Sequence, residues 1–568
     1  MQWIFSTPPV DEWLERFCSR SGLHPIMARL LADKGFESPQ GLECFLFPKL
    51  ADVEMPESIE NLQQSVEIVD YACKHGQSIA VVSDYDVDGV TSMALLHCGF
   101  KALNFSFTHF FPNREREGYG LTVSLVQRIL ATEHHFDVLI SLDCGTNSLE
   151  AIQLLQKNGT CVIVVDHHRS NGSALPDAVI VNPHVHPEKH SESSKQLCTV
   201  GLVFKWLHLW LKRLKAEHYE PAMFIKLKPF LDLVALGTIA DIVPLSRENR
   251  IFVHFGLRQM ACATQLGLSK LIHVSGINTS KPIISEDVAF QLAPRINASG
   301  RLGSAVVPFS LLVSTDEKHC TEASLLLDDI NKKRQEIEKG ICAEAELMMQ
   351  RNPKRYAYVL FQPSWHIGVV GIVAGRLSRK YNCPTFVLGE QNGKLKGSGR
   401  GIPSVNLVEL LTAANDFMDQ WGGHPGAVGL SLERNNLDPL EHFFNQYLME
   451  KFPHGLPESA LKISATIQVP QISEKFMNDL ALLEPFGQEN EKPVFVIPHV
   501  ILREKPECFG QNRQHIRFKV GNILVIGWHF DGNDVPIDRP LDIAVQFSWN
   551  YWQSRRSIQA LLVDWKTV

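Results

Sequence analysis

The sequence predicts two α/β lobes joined by a long helix and followed by a small C-terminal β-barrel. Three observations carry that prediction. From residue 78, apolar runs of four to six residues alternate with helical patterns, which indicates a parallel sheet covered on both faces. A helical pattern then runs over residues 321–351, broken by no Gly or Pro except Gly340. After Pro457 the chain turns into short strands separated by turn residues, the signature of a small barrel. A chain of 568 residues is too long for one core and divides into several domains.

In chain order, residues 1–50 read as an N-terminal segment of short helices (11–17 and 26–33) around prolines, without recognisable chemistry. The first α/β lobe is expected over 51–318, with strands at 79–82, 138–142, 161–165 and 179–181 and a helix at 149–156 that ends at Gly159. Residues 202–214 have the spacing of an amphipathic helix, with Trp206 and Trp210 as core anchors. Residues 231–245 are apolar and helical in their first half. In the connector, 319–352, Leu326, Ile330, Ile337, Ile341 and Met348 share a face; at ~1.5 Å per residue such a helix spans a whole lobe. The second lobe, 353–456, has strands at 357–361, 385–388, 395–399 and 427–432 and helices at 367–380 and 406–417. The barrel, 457–568, has strands at 461–469, 494–502, 515–520, 523–528, 541–547 and 558–563.

Composition excludes several classes. A net charge of −7 advertises no polyanion partner, so contact with nucleic acid rests on a local basic groove or on bound metal. Twelve cysteines without a Cys-x-x-Cys pair argue against a disulfide framework or zinc ribbon and fit a reducing, cytoplasmic setting. The first ten residues have neither the basic nor the apolar region of a signal peptide, and no apolar run reaches membrane-spanning length, so no membrane partner is expected. No Gly-x-x-x-x-Gly-Lys-Ser/Thr loop is present, which disfavours a nucleotide-driven motor.

The chemistry gathers at strand ends of the first lobe. The first strand runs into Asp84-Tyr85-Asp86-Val87-Asp88-Gly89, and alternation would point the three carboxylates to one side if this stretch is extended. Like charges so close repel unless a cation lies between them. The second strand ends in Asp143 and the third in Asp166-His167-His168. Carboxyl ends of parallel strands share one edge, where ligands bind. Asp241 sits in a segment too apolar to leave a carboxylate unpaired cheaply. An aspartate after a strand is more often a helix cap, yet four such pieces in one domain are hard to dismiss together. Five or more carboxylates with an imidazole can serve two divalent cations. The added histidine favours Mn²⁺ over an all-oxygen Mg²⁺ or Ca²⁺ site.

In that order Asp84-Tyr85-Asp86-Val87-Asp88-Gly89, Asp143, Asp166-His167-His168 and Gly237-Thr238-Ile239-Ala240-Asp241 resemble the four motifs of the DHH phosphoesterase superfamily. The resemblance extends through Pro112-Asn113-Arg114, Gly118-Tyr119-Gly120, Pro294-Arg295-Ile296-Asn297-Ala298-Ser299-Gly300-Arg301, Trp365-His366-Ile367-Gly368 and Gly422-Gly423-His424. Over nearly its whole length the chain is similar to the superfamily's single-strand-specific 5′→3′ DNA exonucleases. The resemblance implies a DHH catalytic domain, a DHH-associated substrate-binding domain and an oligonucleotide-binding (OB-like) barrel. It puts metal ligands on Asp84, Asp86, Asp88, Asp143, His167 and Asp241, for two ions of Mn²⁺ or Mg²⁺. It sets His168 facing the scissile phosphate, with Asp166 orienting a histidine or the loop. Ser398 and Arg400 match positions used for the 5′-terminal phosphate, Arg114 assisting, with Gly399 where a slightly larger residue is expected. His366 and His424 would approach substrate from the second lobe. Arg295 and Arg301, in a Gly/Asn-containing loop, would contact backbone phosphates, surface salt bridging being the plainer use.

Residues 501–568 hold nine Lys/Arg against seven Asp/Glu. Arg513, Arg517, Lys519, Arg555 and Arg556 interleave there with Phe518, Trp528, Trp549, Tyr551 and Trp552, a composition suited to holding single strands. The implied activity is metal-dependent hydrolysis of single-stranded DNA from its 5′ end to 5′-mononucleotides, in a cleft between the lobes. Its setting would be DNA repair and recombination, beside a helicase and a single-strand-binding protein. The alternatives are a DHH-family phosphatase or short-oligonucleotide ribonuclease, or a non-catalytic strand-binding replication factor. The former tend to have a histidine where this chain has Asp84, and the latter would have eroded ligands.

Overall fold

Three buried strands, Ile79–Ser83, Val138–Leu142 and Cys161–Val165, run parallel in register, so that Ser83 pairs with Leu142 and Leu142 with Val165. Each stops where the chain changes from apolar residues to an aspartate. The computed structural model in which this is seen describes every residue except Glu115, Asn171, Ser173, Ala263, Thr264, Lys354, Gln553 and Ser554 and the side chain of Trp552. The chain folds into two compact units, one of Trp3–Gly300, Ser304–Leu327 and Lys462–Val568, the other of Met1–Gln2, Arg301–Gly303 and Asp328–Leu461.

In the larger unit the sheet order, among the described residues, is Thr108–Phe110, Ile79–Ser83, Val138–Leu142, Cys161–Val165, Val179–Val181, all parallel. Alternate side chains feed two cores. Ile79, Val81, Val138 and Ile140 face helices Val87–Ala102, Thr199–Ala216 and Leu231–Ala240, while Ala80, Val82 and Leu139 face Val123–Leu130 and Leu149–Lys157. From Ile79–Ser83 the chain goes to a neighbour on one side and then to one on the other. That reversal opens a crevice between Ile79–Ser83 and Val138–Leu142 at their carboxyl ends.

The helix expected to be amphipathic at 202–214 is Thr199–Ala216, and it is buried almost all round because the sheet, Leu62–Lys74 and Leu231–Ala240 surround it. Trp206 and Trp210 are core residues, their Nε1 donating to Ser65 Oγ and Asp70 Oδ1, both at 3.0 Å. The same helix buries Lys205, whose Nζ lies 2.7 and 2.9 Å from the Glu248 carboxylate oxygens.

The C-terminal strands form one mixed sheet, in the order Ala465–Thr466, Phe495–Ile501, Pro540–Trp552, Arg555–Thr567, Ile523–Trp528, His515–Val520, Glu507–Phe509. It is the small β domain that the sequence suggests, and among the described residues no pairing joins Ala465–Thr466 to Glu507–Phe509. Its apolar face is shared. Helices Glu12–Arg20, Ile26–Ala32 and Pro39–Leu46 pack Leu14, Met27, Leu31 and Leu42 into one core with Phe476, Phe495 and Phe547. Arg250 ties this assembly to the parallel-sheet region. Its buried guanidinium donates to main-chain carbonyls of Phe45, Leu482, Leu483, Glu484 and Pro485.

The long helix is Glu317–Arg351, starting four residues before the 321 expected from periodicity. The smaller unit has a sheet ordered, among the described residues, Gln420–His424, Ala427–Leu432, Lys394–Arg400, Thr385–Gln391, Tyr358–Phe361. Only the last pair is parallel. Strand Gln420–His424 and helix Leu437–Lys451 have no counterpart in the sequence reading.

Candidate active site

The parallel ladder continues one residue beyond each strand. Asp84 N donates to Leu142 O at 3.3 Å, Asp143 N to Val165 O at 3.0 Å and Asp166 N to Val181 O at 3.1 Å. Three aspartates thus stand side by side on one sheet edge. The first motif is not extended past Asp84, so strand alternation does not align its carboxylates. The chain turns there, Asp86 Oδ1 caps helix Val87–Ala102 through Gly89 N at 3.1 Å, and Asp88 lies in the helix's first turn. Gly89 is required: a Cβ there would lie 2.4 Å from Asp84 O. Asp241 terminates helix Leu231–Ala240 and points at the same place. Two non-glycine residues hold left-handed backbone here, Asp143 at φ 60° and the exposed, β-branched Ile242 at φ 58°, a costly conformation of the kind that gathers at functional sites.

The ligand atoms fall into neighbouring groups. One atom each from Asp84, Asp86 and Asp143 lie within 4.8 Å of one another, as do one each from Asp88, His167 and Asp241. Asp143 also groups with His167 and His168, which links the two sets. His167 Nε2 is 3.4 Å from Asp241 Oδ2, 3.5 Å from Asp143 Oδ1 and 3.9 Å from Asp88 Oδ2. Both carboxylate oxygens of Asp84, Asp143 Oδ2 and His167 Nε2 are buried without a hydrogen-bond partner. Orphaned acceptors aimed at one another are costly for the protein alone. Burial first, and Asp86 second, push Asp84 well above the usual carboxylate range and Asp88 up to about 6. Burial and then Asp88 raise Asp143 and Asp241. Burial lowers His167 to about 3, leaving a neutral imidazole. Carboxylates driven toward protonation by burial and each other, around a neutral imidazole, are the donor set of a divalent cation.

Beside these groups stands a differently tuned pair. Burial pulls His168 down, but the Asp166 carboxylate outweighs it and sets the imidazole up at about 9, while Asp166, against its own burial, is held well below the usual range by His168. His168 Nδ1 lies 2.8 Å from Asp166 Oδ1. Asp166 also accepts the main-chain N–H of His167, His168 and Thr146, so it braces the loop. Sequence reasoning missed several supports. Thr199 donates its N–H to Asp88 at 2.7 Å and its hydroxyl to Asp143 at 3.0 Å, Asn182 donates to the His168 carbonyl, and Tyr119 meets His168 Nε2. A threonine opening a helix carries no spacing signal; Tyr119 was visible only as the centre of Gly118-Tyr119-Gly120.

The Arg114 guanidinium lies 5.4 Å from the centroid of the Tyr85 ring, next to the first motif. Arg295 and Arg301 are not in a loop: helix Ala293–Leu302 carries both, following a π-turn at Val288–Leu292 that absorbs Pro294. Gly300 sets this helix against the first motif, since a Cβ there would fall 2.6 Å from Tyr85 O. Arg301 Nη1 donates to Gly368 O at 3.1 Å within the smaller unit.

In the smaller unit, Ser398 and Arg400 meet the first turn of helix Val370–Tyr381. A Cβ on Gly371 would lie 3.1 Å from Ser398 Oγ and 3.3 Å from Arg400 Nη2. Gly399 between them is demanded by packing, because a Cβ would sit 2.4 Å from Phe386 Cε1 and 2.8 Å from Val428 Cγ2. The larger residue expected there does not fit between these side chains. His366 Nδ1 accepts from Gly368 N at 3.0 Å, and His424 ends strand Gln420–His424, exposed.

Comparison with known proteins agrees with this architecture. The single-stranded-DNA-specific exonuclease RecJ of Bacillus subtilis (strain 168) is 30% identical, the match covering 99% of this chain and 70% of that protein. That of Escherichia coli (strain K12) is 31% identical over 95% of both. The chain belongs to the RecJ family. Within this RecJ-family chain, residues 78–238 match the DHH family, N-terminal domain, 354–450 the DHHA1 domain and 463–564 the RecJ OB domain. The crystal structure of RecJ in complex with Mn²⁺ from Thermus thermophilus has a TM-score of 0.84 and 27% identity, covering 100% of this chain and 79% of that one. RecJ from the same organism in complex with Mg²⁺ has a TM-score of 0.78.

Proposed function

We propose that this chain is a metal-dependent exonuclease that degrades single-stranded DNA from its 5′ end to 5′-mononucleotides. The observation that carries this is the convergence of Asp84, Asp86, Asp88, Asp143, His167 and Asp241 on one sheet edge, with buried ligand atoms that nothing in the protein satisfies. Asp84, Asp86 and Asp143 would hold one ion and Asp88, His167 and Asp241 a second, Mn²⁺ or Mg²⁺. Such ions, when bound, supply an activated water and neutralise charge on the phosphoryl group. The protein's own part is placement. Asp166 engages His168 at Nδ1, leaving Nε2 to donate to a phosphoryl oxygen or to the departing 3′-oxygen.

Direction requires a group that reads a 5′ phosphate. Ser398 and Arg400 beside a helix N-terminus offer a hydroxyl, a planar fork and main-chain dipoles for that purpose. Arg114, Arg295, Arg301, His366 and His424 would contact the strand. The C-terminal sheet offers Trp528, a residue 51% exposed whose ring is braced edge-on by His515 at 4.6 Å. Trp549 is already covered by Arg556 at 4.4 Å, and Phe518 is buried; the Trp552 side chain lies outside the described residues. Trp528→Ala is therefore expected to weaken strand binding in chelator by about 1–3 kcal/mol, read by fluorescence anisotropy, with the unfolding temperature unchanged.

A place in DNA repair and recombination, beside a helicase and a single-strand-binding protein, follows from the same reading. A cytoplasmic setting is supported by the cysteines, each a free thiol. Among the described residues no helix is long and apolar enough to cross a membrane. Comparing rates on a dinucleotide and on a strand of about 30 nucleotides, longer than one such domain spans, separates this activity from that of a small-substrate phosphodiesterase. Preference for the long strand is expected; preference for the dinucleotide would overturn the proposal.

A further inference from the structure

We propose that Tyr119 is a positioning residue for His168, its hydroxyl holding the imidazole at Nε2 until a phosphoryl oxygen takes that place. The inference rests on the exonuclease reading above for what His168 acts upon, and on geometry for the rest.

An imidazole has two nitrogens, and both are engaged. Nδ1 faces Asp166 at 2.8 Å, and Nε2 faces the Tyr119 hydroxyl at 3.1 Å. The Asp166 side is fixed, because that carboxylate also accepts three main-chain N–H groups and is buried. Nε2 is thus the nitrogen left to meet substrate, and Tyr119 occupies its partner's position. A hydroxyl both donates and accepts, so it substitutes for either a phosphoryl or an alkoxide oxygen.

The loop presents this contact on an exposed side chain. Gly118 and Gly120 flank Tyr119 at φ +86° and +71°. Gly120 is anchored, since a Cβ there would be 3.1 Å from Cys144 Cβ, beside Asp143; Gly118 has open space. Tyr119 itself is 52% exposed, yet its ring meets Tyr85 edge-on at 6.0 Å and His168 at 6.1 Å. Both sides of Tyr119 are thus anchored, Gly120 beside Asp143 and Gly118 through its N–H to Asn113 O at 3.2 Å, which leaves the exposed tyrosine side chain as the part that yields. Edge contacts orient the ring without burying it, which suits a group that must yield to an incoming strand.

The test is steady-state kinetics with Mn²⁺ on a 5′-phosphorylated single strand, together with strand affinity in chelator, for wild type, Tyr119→Phe and Tyr119→Ala. Because the hydroxyl acts on the free enzyme and gives way in the complex, removing it alone is expected to lower kcat/KM about three- to tenfold, the worth of one hydrogen bond, with kcat near wild type and metal-free strand affinity unchanged. Tyr119→Ala should lower kcat/KM at least as much. Combined with Asp166→Asn, Tyr119→Phe should cost less than the product of the single losses in kcat/KM, because both act through one imidazole. Wild-type kcat/KM in Tyr119→Phe would overturn the inference. So would an equal loss of strand affinity in chelator, which would make the hydroxyl a substrate contact. An inactive wild type would sink the exonuclease reading instead, whatever the variants do.

Discussion

Asp143→Ala is expected to reduce turnover on single-stranded DNA by roughly a thousandfold or more, about 4 kcal/mol of barrier, while leaving strand affinity in chelator intact. Asp143 groups with Asp84 and Asp86, and its Oδ1 lies 3.5 Å from His167 Nε2 of the other ligand group. One oxygen accepts from Thr199 Oγ1 at 3.0 Å, and the other is buried with no partner. Losing it therefore removes a ligand atom from one proposed ion and a carboxylate from beside the other. Stability should move the other way. Burial and the charges of Asp88, Asp86, Asp241 and Asp84 disfavour this carboxylate in the protein alone, so the metal-free variant should unfold at or above the wild-type temperature. Calorimetric titration with Mn²⁺ should show weakened binding. Activity within about tenfold of wild type would refute the assignment of this residue.

Lys205→Met is expected to destabilise the fold by about 3–5 kcal/mol, measured by urea unfolding, although it lies away from the proposed chemistry. Lys205 and Glu248 are 1% and 2% exposed, and the methionine leaves a buried carboxylate without its cation. Glu248 keeps the N–H of Glu54 and the hydroxyl of Ser193 as donors, which offset only part of that loss. Burial already raises the Glu248 carboxyl, opposed by Lys205, and removing the lysine raises it further. A group whose folded pKa stands above its unfolded value favours the fold below the unfolded pKa and loses that contribution as pH rises through the folded one. The deficit relative to wild type should accordingly shrink on acidification and be full near neutrality. Adding Glu248→Leu should restore much of the loss. An equal deficit at all pH values would contradict the ion-pair account.

Much of the catalytic half was legible because its signals are local. Strands Val138–Leu142, Cys161–Val165 and Val179–Val181 are short apolar runs closed by polar residues, and their bounds follow from composition alone. The carboxyl-edge rule then brings Asp84, Asp143 and Asp166 together without coordinates. What was not legible depends on distant partners. Helices Glu12–Arg20, Ile26–Ala32 and Pro39–Leu46 lack chemistry of their own, and their apolar faces are explained only by a sheet over 400 residues further along the chain. Residues 293–302 read as a loop from Pro294, Asn297 and Gly300, but the π-turn at Val288–Leu292 accommodates Pro294 within a continuous helix and Gly300 fits against Tyr85. The need for Gly399 lies in the Phe386 ring of the neighbouring strand, which no pattern around residue 399 records. Tyr119 and Thr199 act by reaching side chains from other segments, so their roles appear only when the fold is assembled.

If the Asp84–Asp241 cluster drives end-directed hydrolysis of single strands, the 5′ end is lost first. This is read by digesting a 5′-phosphorylated single strand carrying separate labels at its two ends, with Mn²⁺, with chelator, and with the same strand in a blunt duplex. Release of a labelled 5′-mononucleotide before any label leaves the 3′ end, confined to the single strand with Mn²⁺, is the predicted result. An intact strand, or loss of the 3′ label first, would contradict it.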